Sequence, residues 1–279
     1  MNCKLSIAVL AAALALGGAA RAQDKTYTVA VDGTFAPHAM PSLSGGVEGF
    51  NIDLANEIGT RLGAKMDIVA TQFSGILPGL AAGTYDFVVA PTTITKERAD
   101  SVLFSEGYLN TDFGFVVKKG TEDITDLEGF EGKVIAVNKG SVYDSWAREK
   151  EGEVGWTVES YGTNADAVQA VMSGRAFANV AGNTVSAWAV KQNPQLQLSY
   201  VFSTGLVWGM PFRKGDEELR ATVEKVIECM KTDGTMAALS EKWFGTIPEP
   251  GSAAVTPQPG FGEPGFAGYV EDDHTPGCN

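Results

Sequence analysis

Four short segments concentrate the side chains able to hold a small molecule. They are Asp32-Gly33-Thr34-Phe35, Gln72-Phe73-Ser74-Gly75, the run from Pro91 through Thr93 to Arg98, and Asn138-Lys139-Gly140-Ser141. Together they offer two aromatic rings, several hydroxyls and one guanidinium, which suits enclosing a polar ligand with an apolar body. Catalytic chemistry has fewer candidates. His38 and His274 are the only histidines, poorly placed for a dyad, and the chain has no Cys-x-x-Cys pair, Walker loop or Gly-x-Gly-x-x-Gly turn. Zinc fingers, zincins, P-loop NTPases and ordinary Rossmann enzymes are thereby disfavoured. Each candidate also has a plain structural reading. Phe35 and Phe73 could be core, Thr93 and Ser141 caps, Asp32 a turn former before Gly33, and Arg98 a surface partner of Glu97 or Asp100.

The elements that must position these segments alternate between strand and helix. Residues 26–31 alternate as a strand, Leu54, Ile58 and Leu62 form a helix stripe, and 66–69 is the next strand. A short helix over 74–82 stops at Gly83, and 85–90 is an apolar run typical of a strand buried on both faces. A second series follows: strands at 113–118, 133–137 and 177–181, with helices over 142–150 and 165–172. Beyond Met210-Pro211-Phe212 come helices over 216–231 and 235–243. This alternation predicts mostly parallel sheets covered by helices. In such sheets ligands sit beyond the carboxyl ends of strands, where all four segments fall.

Composition narrows the partner and the compartment. A 279-residue chain with 33 Gly, 12 Pro and 20% charged residues is globular and long enough for two lobes. Its net charge of -13 argues against nucleic acid or an anionic membrane surface, neither of which gains counterion release from an acidic protein. Lys4, an apolar run over 5–20 and Ala20-Arg21-Ala22 predict an export signal, residues 1–22, cleaved after Ala22. Cys3 leaves with it, so Cys229 and Cys278 remain in an oxidising compartment and are expected to pair. From 248 to 279, 12 of 32 residues are Pro or Gly, yet Phe261, Phe266 and Tyr269 are unusual for a free tail. An irregular segment packed on the body and held by Cys229 is expected. His274 beside Asp272 and Asp273 reads as a solvated patch, not a metal site.

Three segments in order then carry a resemblance: GFNIDLANEIGTRLG (49–63), FSGILPGLAAGTYDFVVAPTTITKERAD (73–100) and DGTMAALSEKWFG (233–245). From about 27 to 245 the chain resembles the periplasmic solute-binding proteins of polar amino acid ABC transporters, extracellular solute-binding family 3. The resemblance implies an α/β type II periplasmic-binding-protein clamp with two mixed, mostly parallel sheets covered by helices. Lobe 1 would comprise 24–111 and 207–247, and lobe 2 112–206, with hinge crossovers near 110–113 and 206–209. It further implies a small carboxylate solute, an amino acid or derivative, delivered to an inner-membrane ABC permease by a monomeric, non-catalytic periplasmic receptor without a cofactor. The alternatives are a periplasmic dehydratase-like enzyme acting on a cyclic carboxylic acid, with Asp32 its one obvious acid or base, and a sensor domain.

On the same resemblance, Arg98 grips the solute carboxylate with two parallel hydrogen bonds, helped by Thr93 in the loop that Pro91 opens and by Ser141 from lobe 2. Phe35 and Phe73 sandwich the solute body, and Asp32 meets its side chain or ammonium. Trp208 reads as hinge packing, with a place in the cleft as the alternative. One departure stands out. The family places an aspartate for the α-ammonium shortly after an SGR-like segment, but here Ser173-Gly174-Arg175 leads to Gly182, or with a one-residue insertion to Asn183. Asn183 is the candidate contact; either Asp32 or another acid supplies the compensating charge, or the solute is a carboxylate without an ordinary α-ammonium.

Overall fold

A computed structural model describes residues 25–278. The expected export segment, ending at Ala22, lies outside the described residues, as does residue 24, where lobe 1 is expected to begin. The chain starts with β1 (Lys25–Asp32), a small ribbon of β2 (Met40–Pro41) and β3 (Val47–Glu48), α1 (Phe50–Leu62), β4 (Ala64–Thr71) and α2 (Phe73–Ala81). Next come β5 (Phe87–Val88), β6 (Thr92–Thr93), α3 (Lys96–Ala99), β7 (Leu103–Phe104) and β8 (Leu109–Asn110). A second series follows: β9 (Phe113–Lys118), β10 (Val134–Asn138), α4 (Val142–Val154), β11 (Thr157–Tyr161), α5 (Asn164–Ser173), β12 (Ala178–Gly182), α6 (Asn183–Gln192) and β13 (Leu196–Phe202). The chain then returns through β14 (Val207–Gly209) and β15 (Pro211–Phe212) to α7 (Glu217–Thr232) and α8 (Thr235–Phe244).

These elements make two lobes, each built on a mixed five-stranded sheet. The first has the order β4-β1-β5-β15-β7 and the second β11-β10-β12-β9-β13. In lobe 1, β1 pairs parallel with β4 and β5, and β15 runs antiparallel to β5 and β7. In lobe 2, β10 pairs parallel with β11 and β12, and β9 runs antiparallel to β12 and β13. The middle of β1 is an apolar run because helices cover both faces. Val29, Ala30 and Val31 of β1 have no exposed surface, each large side chain so buried stabilising the fold by about 1.5–3 kcal/mol. Leu54 and Ile58 of α1 are likewise fully buried, on the stripe read from the four-residue period.

A third, three-stranded antiparallel sheet in the order β6-β14-β8 joins the lobes. Trp208 of β14 pairs with both Thr93 and Leu109, and the Thr111 amide donates to Leu206 O at 2.9 Å where the chain leaves the sheet. Two residues beside the cleft, Thr93 and Trp208, are thus cross-strand neighbours in the sheet from which the chain crosses between the lobes.

The tail has little regular structure but is firmly attached. Cys278 is disulfide-bonded to Cys229 of α7, with a Cα–Cα distance of 4.5 Å. Phe261 and Val270 exchange backbone hydrogen bonds as an isolated antiparallel bridge. Glu263 accepts the Gly107 amide at 2.8 Å, and Glu224 of α7 accepts the amides of Glu106, at 3.0 Å, and Gly262, at 2.6 Å. His274 stacks on Phe261 with centroids 4.6 Å apart and bonds Asp272 and Glu228. It therefore pins the tail to α7 instead of lying in a solvated patch.

Candidate functional site

The carboxyl ends of the strands meet between the lobes, and each turn there is fixed by a local hydrogen bond. After β1 the Asp32 carboxylate accepts from Thr34 twice, backbone N–H at 3.1 Å and hydroxyl at 2.8 Å, which tightens the turn leading to Phe35. After β6, Thr95 caps α3 by accepting the Arg98 amide, and the Arg98 guanidinium folds back to donate to Thr93 O at 3.0 Å. After β10, Ser141 caps α4 by accepting the Asp144 amide at 3.2 Å. Its hydroxyl proton remains available to the cleft.

Asp32, Phe35, Phe73, Pro91, Thr93, Arg98 and Ser141 line one cavity, completed by Asn138, Val142, Tyr143 and Trp208. The lobes are drawn together there. Asn138 Nδ2 donates to Asp32 Oδ2 at 2.9 Å, and Arg98 Nη2 donates to Gly140 O at 3.3 Å, both from one lobe to the other. Space for water-sized centres is about 10 Å³, roughly the room one water needs. At its edge Gly140 has a positive φ of 76° and lies so near Ser74 that a Cβ would sit 3.2 Å from the Ser74 Cα. A side chain at that position would hold the lobes apart.

Charge is arranged asymmetrically. Among the described residues the Arg98 guanidinium donates to two backbone carbonyls and to no carboxylate. It faces the Phe73 ring at 5.7 Å. Burial pulls its pKa below the ordinary arginine value, with the nearby Glu97 charge acting in the opposite direction. Burial pushes the Tyr143 hydroxyl up to about 12, so it remains a neutral donor. Opposite Arg98, Asp32 is 2% exposed and Asn138 1% exposed. The Asn138 amide is oriented by its bond to Asp32, and its Oδ1 has no hydrogen-bond partner among the described residues. The cleft thus offers an unneutralised cation at one place and a carboxylate with a free amide oxygen at another.

Asn183 is the one candidate the structure does not bring to this cavity. It is the first residue of α6; its amide donates to Asp112 O at 2.8 Å and its Oδ1 lies toward Gly114 of β9. The side chain therefore packs on the lobe-2 sheet. Gly182, one residue earlier, faces the cleft-lining pair, since a Cβ there would lie 2.6 Å from Trp208 Cζ2 and 2.8 Å from the Tyr143 hydroxyl. Sequence reasoning passed over Asn138 and Tyr143. Asn138 ended a strand in one of the four segments, which was a usable signal; Tyr143 looked like any aromatic in a helix.

His38 sits behind this wall, fully buried among Phe35, Phe50, Trp208 and Phe244. Its Nδ1 is 2.9 Å from Asn51 Oδ1 and its Nε2 2.8 Å from Thr184 Oγ1 on the other lobe. Burial lowers its pKa to about 3, although the Asn51 bond favours the proton. The folded protein keeps it neutral while the unfolded chain protonates it below about 6.5, so its contribution to stability is lost as pH falls from 6.5 toward 3. Wild type is expected to lose about 2 kcal/mol more than His38→Gln between pH 7 and pH 5, read from denaturant melts at both values. Glu224, which burial pushes up to about 8, has the opposite slope but is common to both proteins. Identical pH dependence in the two would refute a neutral His38.

The sequence profile of the bacterial extracellular solute-binding proteins, family 3, matches residues 27–246. The L-cystine-binding protein TcyJ of Escherichia coli is 31% identical over 222 residues, covering 79% of this chain and 83% of that protein. Among solved structures, an ancestral arginine-binding protein bound to arginine is 37% identical with a TM-score of 0.75, over 79% of this chain and 98% of that one. An ancestral amino acid-binding protein described as a precursor of cyclohexadienyl dehydratase is 34% identical with a TM-score of 0.73, over 78% and 95% of the two chains.

Proposed function

Because this chain belongs to the bacterial extracellular solute-binding proteins of family 3, we propose that it is the periplasmic receptor of an ABC importer for an amino acid or amino-acid derivative. The observation that carries the reading is Arg98, a guanidinium with no carboxylate partner among the described residues, at the seam between two lobes. A solute carboxylate supplies the missing charge through two parallel hydrogen bonds. In doing so it replaces the Gly140 carbonyl with a stronger acceptor. Asp32 and the free Asn138 oxygen receive the solute's ammonium, and Phe35 and Phe73 cover its carbon skeleton. Both polar ends then contact both lobes, so binding favours the closed clamp over the open one. Membrane delivery falls to a permease that recognises that closed form, and residues 1–22 direct export.

A dehydratase on this clamp needs a general acid or base in the cleft. Among the described residues Asp32 is the one carboxylate lining the cavity, and both its oxygens are engaged, by Thr34 and Asn138. That arrangement supports holding a cation more than moving a proton. The test is a thermal-shift screen of the mature protein against the free amino acids and their des-amino analogues. An amino acid at 100 times its dissociation constant is expected to add about 2.7 kcal/mol of stability. Absence of a shift across the whole panel would overturn the receptor reading.

A further inference from the structure

The hinge end of the cleft is aromatic, and the lobe-2 backbone facing it is cleared to make room. Gly182 ends β12 beneath the Trp208 indole, which lies close enough that even a methyl group there would overlap two of its ring carbons, at 2.6 and 2.8 Å. The indole is held from every side. Its strand is the middle one of the hinge sheet, the ring meets Phe35 edge-on at 6.4 Å and His38 at 4.8 Å, and 1% of the residue is exposed. Tyr143, 3% exposed, closes the same corner.

We infer that Trp208 sets the size of the solute: resting on Gly182, it fills the hinge end of the cleft, so the lobes close most nearly on a small amino acid lying between Arg98 and the Asp32–Asn138 pair. The inference rests on the receptor reading and sharpens it. Three contacts fix how near the lobes come, Asp32 with Asn138, Arg98 with Gly140, and Gly140 against Ser74. A larger solute must spread all three, because the indole is wedged between Phe35, His38 and Gly182 and has no space to retreat into. A small one replaces the first two bonds with its own ammonium and carboxylate and spreads the third contact least.

The experiment is a calorimetric titration of the mature protein with glycine, L-alanine and L-serine, and with L-arginine and L-glutamine. Wild type is expected to bind the best of the small three at least 10-fold more tightly than either large one. Trp208→Thr, a strand-compatible residue that vacates the corner, is expected to narrow or invert that ratio by at least 10-fold, whereas Trp208→Phe keeps the wild-type order. Gly182→Ala is expected to weaken the small ligands at least 10-fold by forcing the indole into the cleft, which keeps the inference testable if Trp208→Thr does not fold. A wild type that prefers arginine or glutamine, a Trp208→Thr protein with an unchanged ratio, or a Gly182→Ala protein with unchanged affinity would each overturn the inference while leaving the receptor reading in place. No binding by wild type to any of the five would overturn the inference, and absence of a shift across the whole thermal-shift panel as well would overturn both.

Discussion

Lys231→Met is expected to lower the unfolding free energy by about 3–5 kcal/mol, the cost of stranding a buried charge. Lys231 Nζ lies 2.7 Å from Glu106 Oε1, and both side chains are 0% exposed. The ammonium also donates to Gly107 O at 2.7 Å and to Thr256 O at 3.3 Å, so one nitrogen ties α7, the segment entering the hinge sheet and the tail together. Burial alone raises the Glu106 pKa and lowers that of Lys231, and each is held ionised chiefly by the other. Without the lysine, Glu106 must take up a proton or remain charged in a dry interior. The variant Glu106→Gln/Lys231→Met removes both charges and keeps an acceptor for the Gln258 amide. It is expected to recover most of the loss, with about 1–2 kcal/mol remaining for the unfilled carbonyls of Gly107 and Thr256. Urea melts of the three proteins check this. A single mutant no less stable than the double mutant would show that the pair is not buried as described.

How much of this was readable without coordinates depends on the range of the interaction. Strand β1 and helices α1 and α2 follow from local period, because a strand alternates along its length and a surface helix repeats every three or four residues. By contrast β11, α6 and β13 left no such mark. In β11 only Val158 is buried, and α6 opens on Gly182-Asn183-Thr184, which reads as a turn. Missing α6 is also why Asn183 seemed a candidate for the cleft, since the start of a helix decides where that side chain points. The tail reads as disordered by composition. What orders it is chemistry far away in sequence, Glu224 and Glu106 for its amides and Cys229 for its end. The bond from His38 to Thr184 spans 146 residues and two lobes, and no local pattern encodes it. The strand-end segments were legible because sheet topology puts all of them at one crevice, and the side chains found there share one cavity.

Arg98→Ala is expected to weaken binding of the best amino acid at least 100-fold, about 3 kcal/mol, while leaving the ligand-free fold as stable as before. The asymmetry follows from the site. Without a solute the guanidinium bonds only to carbonyls, at 3.0 and 3.3 Å, and such bonds contribute little once the cost of burying the charge is set against them. With a carboxylate in the cleft the same group makes two charge-assisted bonds in a water-poor site, where they are roughly twice as strong as neutral ones. Arg98→Lys retains the charge but not the planar fork, and is expected to fall between the two. The decisive measurement is isothermal titration of wild type and Arg98→Ala with the amino acid that gives wild type its largest thermal shift, at one pH and salt concentration. The account predicts an affinity loss of about 100-fold or more with an unchanged melting temperature for the free protein; wild-type affinity in a folded Arg98→Ala protein would contradict it.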